Sequence, residues 1–296
     1  MTFVNFLRLL LTAALWGGSF IIIRACTPLL GPAVLTEVRV VLATLFLFLI
    51  GVALKKRISF TKYLRYFIIL GLLSAALPFF LFAYSAQWLP GSLLSIINAT
   101  SPSWGFIFAC VKGSEKLTTK KVLGLILGFI GVTLLIDFEQ IELQNSHFLA
   151  YLCAIIASMS YGLASNIAVN SEKIDAFQNT LGSMTFSTLM LLPLILWFPV
   201  KVSVTLDIIG LLLLFGTVCT GLAFLIYFKL IEEIGPSSAL TVTFLVPIFG
   251  VLWGFIFLNE KVSPFILLSL GCILYGTMLV TEYRLTFEKI KILRFK

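Results

Sequence analysis

The chain has 296 residues, of which 60% are hydrophobic and only 11% charged. A soluble domain of this size is about a quarter charged, so a soluble enzyme is excluded. The net charge of +8 sits mostly in short loops between apolar runs, where it sets membrane topology instead of contacting nucleic acid.

A bilayer span needs about 20 mostly apolar residues. The apolar runs predict an all-α integral membrane protein with ten transmembrane helices, at 5–24, 34–53, 65–86, 91–111, 119–136, 148–169, 177–198, 208–228, 236–258 and 264–282. The first run follows Arg8 and imitates the apolar core of a cleavable signal. Tyr161-Gly162 matches its Trp16-Gly17 at a distance of 145 residues, which makes it a retained helix. The second span opens at Gly31-Pro32 and carries Glu37 and Arg39, the only opposite charges within one span. In the fourth, Asn98, Thr100 and Ser101 stand just before Pro102, and in the ninth Thr243 stands before Pro247. The five cysteines are scattered without a CxxC, so free thiols are expected instead of a disulfide framework or a metal centre. The only histidine, His147, falls in a polar loop.

Residues 90–136 repeat in 235–281 without a gap. An offset of 145 superimposes Ser92 on Ser237, Pro102 on Pro247, Gly105 on Gly250, Glu115-Lys116 on Glu260-Lys261, and Gly131 on Gly276. The polar segment from Asp137 to His147 divides the spans into two sets of five. An odd number of spans per half turns the second half upside down, which gives two inverted five-helix repeats. The units are a first repeat at 1–136, an external linker at 137–147, a second repeat at 148–282 and a basic tail at 283–296. One set of loops carries Lys55, Lys56, Arg57, Lys62, Arg65, Lys112, Lys116, Lys120, Lys121, Lys173 and Lys229, together with the tail. The other carries Arg24, Lys201 and Lys261. The positive-inside rule then places both termini in the cytoplasm, with the chain in the cell (inner) membrane.

These residues resemble a known family. Leu15-Trp16-Gly17-Gly18-Ser19-Phe20, Gly31-Pro32, Arg39, and Ser92, Asn98, Pro102 and Glu115-Lys116 are similar to the pattern of the EamA family of the drug/metabolite transporter superfamily. Pro236-Ser237, Pro247, Glu260-Lys261 and Gly276 give that pattern again. The resemblance covers nearly the whole chain. It implies ten helices, inverted repeats and a central substrate cavity lined by spans 1, 3, 4, 6, 8 and 9. It also implies movement of small metabolites, often amino acids, commonly outward.

Candidate site residues are polar or amphipathic groups at mid-span, because such groups need partners in lipid. Proline frees an upstream carbonyl, so Asn98 and Ser101, with Thr243 at the position repeating Asn98, either bind substrate at a broken helix or only repair it. Trp16 and Tyr161 either clamp a substrate or pack. Asn166, one turn beyond Tyr161, is a candidate cavity polar group, whereas Tyr84 and Tyr227 near span ends read as interfacial anchors. Glu37 and Arg39 are two apart on a helix and do not face each other. Arg39 reads as a substrate contact, a structural partner for another helix, or a side chain snorkelling to the surface. Glu37 is the candidate proton carrier. The Glu-Lys pairs read as turn and helix-start residues, and the GxxxG spacings at Gly124 and Gly250 as close-packing points.

The expected function is a secondary exporter of small organic metabolites, amino-acid-like first, working by alternating access at a midplane cavity and without a cofactor. Import or exchange of a larger metabolite such as a nucleotide derivative is the alternative, and an integral membrane transferase another. The expected partners are a small-molecule substrate and the lipid bilayer, with no nucleic acid. The number of chains stays open, a homodimer included.

Overall fold

The computed structural model describes residues 3–56, 60–113, 115–135, 145–169, 174, 176–196, 205–234 and 242–280, and its regular structure is entirely helical. In chain order the helices are α1 (Phe3–Leu30), α2 (Pro32–Ala53), α3 (Leu64–Ser85), α4 (Gly91–Val111), α5 (Thr119–Leu135) and α6 (Asn145–Val169). They continue with α7 (Ala176–Leu191, extended by a 3₁₀ turn to Leu196), α8 (Leu206 to Ile234), α9 (Val242–Leu258) and α10 (Pro264–Val280). Among the described residues, seven helices are long and apolar enough to cross a membrane, and shorter apolar stretches lie at Leu245–Leu258 and Pro264–Val280.

Three helices differ most from the sequence expectation, one of them α8, which runs on to Ile234 past the expected end at 228. α1 runs on to Leu30 and meets α2 at Gly31 alone. Gly31 has φ +77, and a Cβ there would meet nothing within 4 Å, so the backbone conformation, not space, requires glycine. Pro32 then opens α2, where its missing N–H is harmless. α6 begins at Asn145, which puts His147 in its first turn and not in a loop, because polar residues carry the helix a turn ahead of the apolar run. The predicted start of the ninth span at 236, the Asp137–Glu142 segment and the basic tail lie outside the described residues.

The helices pack through small residues. A Cβ on Gly17 of α1 would lie 2.8 Å from Phe249 Cβ and 2.9 Å from Gly250 N of α9. A Cβ on Gly162 of α6 would lie 2.6 Å from Gly105 N and 2.8 Å from Trp104 Cβ of α4. The second contact is the first moved on by 145 positions, with its partners exchanged between the halves. α5 and α10 interlock the same way: a Cβ on Gly131 would meet Ser269 O at 3.0 Å, and one on Gly276 would meet Gly124 O at 2.5 Å. Without a hydrophobic drive between helices in lipid, such close backbone approach is what van der Waals attraction needs.

The aromatic packing follows the same rule. Trp16 of α1 lies 5.0 Å from Tyr227 and 5.4 Å from Phe224 of α8. Tyr161 of α6 stacks on Phe82 of α3 at 6.3 Å. Phe82 and Tyr227 are again 145 apart. α3 and α8 both contain a π-helical stretch, Leu72–Ala76 and Leu214–Leu222, at overlapping repeat positions. π-stretches recur at functional sites, and nothing in the residue pattern had marked these two.

Candidate functional site

Pro102 breaks α4 into Gly91–Asn98 and Ser101–Val111, with Ala99 and Thr100 forming the joint. Proline at 102 cannot donate to the carbonyl of Asn98. Ser101 Oγ donates to that carbonyl instead, at 2.7 Å. Ile97 O accepts from Thr100 Oγ1 at 2.7 Å and from Ser158 Oγ of α6 at 3.0 Å. Ala99 O accepts from Thr277 Oγ1 of α10 at 3.2 Å. The repair of the broken helix therefore falls to hydroxyls. Asn98 contributes only a long 3.4 Å acceptance from Ser101 through Oδ1, and its Nδ2 has no hydrogen-bond partner among the described residues.

Asn98 is also the one residue from Gly91 to Ser101 that is not buried. Protein covers every face of the helix there, so this exposure opens onto a gap between helices and not onto lipid. In α9 the corresponding proline, Pro247, lies inside a continuous helix, so the break is not repeated. Thr243 stands half-buried in the first turn of α9 as described.

Arg39 is 5% exposed and does not snorkel. Its guanidinium carbon lies 3.6 Å from the Phe79 ring centre and 4.5 Å from that of Phe215. Desolvated cation–π contacts of this kind contribute about 2 kcal/mol. Arg39 Nε donates to Thr220 Oγ1 at 2.9 Å, and Thr220 Oγ1 donates to Phe215 O at 2.9 Å, five residues back along the π-stretch of α8. The widened turn thus aims Thr220 at the arginine. Phe79, Phe215 and Thr220 were not legible as site residues. The one available signal was that Phe79 and Phe224 match at the repeat offset.

Glu37, 3% exposed, points elsewhere, and neither carboxyl oxygen has a hydrogen-bond partner among the described residues. It lies about two turns from Thr44 on the same face of α2, and Thr44 meets Thr188 of α7 at 3.3 Å. A carboxylate left unpaired in a membrane is expensive, so the arrangement suits a neutral carboxyl group.

The remaining candidates divide. Trp16 and Tyr161 do not meet; each stands against α8 or α3. Tyr227 packs on Trp16 inside the bundle and is not an interfacial anchor, because its helix continues past the apolar run. Asn166 Nδ2 donates to Gly105 O at 2.8 Å and Gly162 O at 3.0 Å, which binds α6 to α4 beside their glycine contact. All five cysteines are free. Among the described residues no cluster of His, Cys, Asp and Glu is suited to a metal ion.

The two Glu-Lys turns behave differently. In both, the glutamate N–H closes the preceding helix, Glu115 on Ala109 O at 3.3 Å and Glu260 on Gly254 O at 3.1 Å. The Glu260 carboxylate then crosses to the other half of the chain. Its Oε1 accepts from Gly91 N at 2.8 Å and its Oε2 from Ser92 N at 3.0 Å, which caps α4. A carboxylate at a helix start is favourable by about 0.3–2 kcal/mol. Gly254 leaves the room it needs. Glu115 instead pairs with Lys121 at 2.9 Å. Near Glu115's end of the bundle, Arg8 of α1 pairs with Glu233 of α8 at 2.7 Å. Desolvation would raise the Glu233 carboxyl, but Arg8, Asn5 and Lys229 together hold it below the usual carboxylate range. This tie is present at neutral pH and is lost as the pH falls through that lowered range.

Comparison with known proteins places the whole chain. The sequence profile of the EamA-like transporter family matches residues 5–137 and 147–282. An uncharacterized transporter, YoaV of Bacillus subtilis (strain 168), is 24% identical over 282 residues, covering 94% of this chain and 96% of its own. Protein PecM of Dickeya dadantii (strain 3937) is 22% identical over 283 residues, covering 94% and 92%. A solved crystal structure at 16% identity covers 94% of this chain and 97% of its own with a TM-score of 0.66, a likeness of fold.

Proposed function

The chain belongs to the EamA-like transporter family, and on that premise we propose that it is a secondary carrier exporting small organic metabolites, amino-acid-like first, by alternating access. It is a multi-pass membrane protein of a transporter family, which sets the membrane-transferase alternative aside. Its ten helices form two inverted five-helix repeats, in the inner membrane with both termini cytoplasmic.

The single observation that carries this reading is the recurrence of contacts at 145 positions. Gly17 on Gly250 answers Gly162 on Gly105, and Trp16 on Tyr227 answers Tyr161 on Phe82. Two halves that repeat their contacts with the partners exchanged can exchange conformations too, which is the basis of alternating access. The asymmetry of the Glu-Lys turns fits one such state. Glu260 joins α9 to α4 at one end, and Glu115 stays within its own turn at the other.

The substrate site lies between the halves. Arg39, Tyr161, Trp16 and Asn98 face the substrate. Ser101 and Asn166 hold the broken α4 in place, and Thr243 occupies the position in α9 that repeats Asn98. Glu37 couples transport to a proton.

Counterflow tests the carrier. Liposomes containing the purified protein are loaded with an unlabelled amino acid, and a labelled trace of the same compound is followed from outside. Transient accumulation above equilibrium, present only with the internal load, is expected. Equal leak with and without the load, across the amino acids, contradicts it.

A further inference from the structure

Among the described residues Arg39 is a buried cation with no anion. The charged residues buried among the described ones are Glu37, Arg39 and Lys121. Lys121 has Glu115 at 2.9 Å, but among the described residues Arg39 forms no ion pair, and its hydrogen bonding there ends with Nε on Thr220. Nη1 and Nη2 have no partner among the described residues. A guanidinium inside a membrane ordinarily finds a carboxylate or backbone carbonyls, and here two aromatic rings and one hydroxyl hold it still without neutralising it.

A second donor stands nearby. Tyr161 packs against the buried cluster that contains Phe79, the ring over which Arg39 lies. The Tyr161 hydroxyl makes no hydrogen bond among the described residues, although its ring is fixed on Phe82. The repeat supplies no counterpart to the cation. Position 184, where Arg39 would recur, is a fully buried methionine.

We propose that Arg39 and Tyr161 form a carboxylate-binding site, so that the transported molecule is a small organic monoanion or zwitterion whose single carboxylate takes the two free Nη groups side by side and accepts from the tyrosine hydroxyl. This rests on the carrier reading and narrows its substrate class. The planar fork of arginine matches two carboxylate oxygens at once. One unpaired cation sets one anionic charge, which disfavours a pyrophosphate-bearing nucleotide. Phe79 and Phe215 exclude water from the pair, and Thr220 fixes its plane.

The test compares acids with their methyl esters, which keep size and shape and remove the charge. The probes are the neutral amino acids and the hydroxy and keto acids of the same carbon skeletons, each with its ester. The first readout, thermal stabilisation of the purified wild-type protein, needs no variant. At least one carboxylate is expected to raise the melting temperature with dose, and its ester to need about tenfold or more concentration, the loss of a charge-assisted contact. The second is competition in counterflow. Arg39→Gln should remove the preference for acid over ester, Arg39→Lys should keep part of it, and Tyr161→Phe should weaken it a few-fold. Esters that stabilise and compete as well as their acids overturn the carboxylate site and leave the carrier standing. So does an acid preference that survives in Arg39→Gln. Carboxylate-specific stabilisation without counterflow by any probe upholds the site and overturns the carrier. No stabilisation and no competition by any carboxylate overturns the site.

Discussion

Gly162→Leu is expected to leave little folded protein, whereas Gly271→Leu is expected to behave as wild type. Both glycines lie within long apolar helices, so helix propensity and membrane insertion change alike. Their surroundings do not. A Cβ at 162 would lie 2.6 Å from Gly105 N, 2.8 Å from Trp104 Cβ and 2.9 Å from Ser101 O. Two of those three atoms are backbone and cannot swing aside, so α6 must move off α4. That movement pulls Asn166 from Gly105 O and Ser158 from Ile97 O, the bonds that support the break in α4. Overpacking alone costs about 1–3 kcal/mol, and the stranded polar groups add about 1–3 kcal/mol each. At roughly 2–4 °C per kcal/mol for a chain of this class, the melting temperature should fall by about 10 °C or more. At Gly271 nothing lies within 4 Å. Melting of the detergent-purified variants, with yield of monodisperse protein, checks both. Equal behaviour of the two would mean that α4 and α6 do not approach as closely as described.

Glu37→Gln should uncouple transport from the pH gradient without ending exchange. Both carboxyl oxygens are buried and unpartnered among the described residues, and Arg39, two residues on, lies on another face of α2. Glutamine keeps the shape of a neutral carboxyl group but has no proton to release. One pH unit is worth about 1.4 kcal/mol per proton, which is about tenfold accumulation. Wild-type proteoliposomes should reach that ratio against a gradient of one unit if one proton moves per cycle. The variant should show none while retaining counterflow. Gradient-driven accumulation in Glu37→Gln would assign Glu37 to packing alone.

The reach of sequence reading differs from residue to residue. The all-helical, membrane-spanning character and the break at Pro102 were legible, because hydropathy and the missing N–H of proline are properties of the chain itself. The GxxxG spacings were legible as close-packing points for the same reason. Which glycine meets which was not, since that depends on how the halves interlock. Asn98 could not be told from a residue that repairs its own helix. The answer depended on Ser101 taking the carbonyl that Pro102 frees, and on Ser158 and Thr277, far away in sequence, bonding to the carbonyls beside it. The Arg39 surroundings needed the π-stretch of α8, a register change that leaves apolar periodicity nearly intact. Glu260 read correctly as a helix-start residue, but the helix it starts belongs to the other half.

Alternating access requires the site to open at one end while the other is shut, and the Glu260 contact is the proposed closure at one of them. Labelling of Asn98→Cys, in a chain lacking the five native cysteines, reads this out when a membrane-impermeant maleimide is added to each face of sealed vesicles in turn. Glu260→Ala removes the cap on Gly91 and Ser92 and should favour opening at that end. Labelling from the Gly91 face should then rise in this variant, and labelling from the opposite face should fall. Rates that rise together from both faces would describe a continuous pore, and the alternating carrier would be wrong.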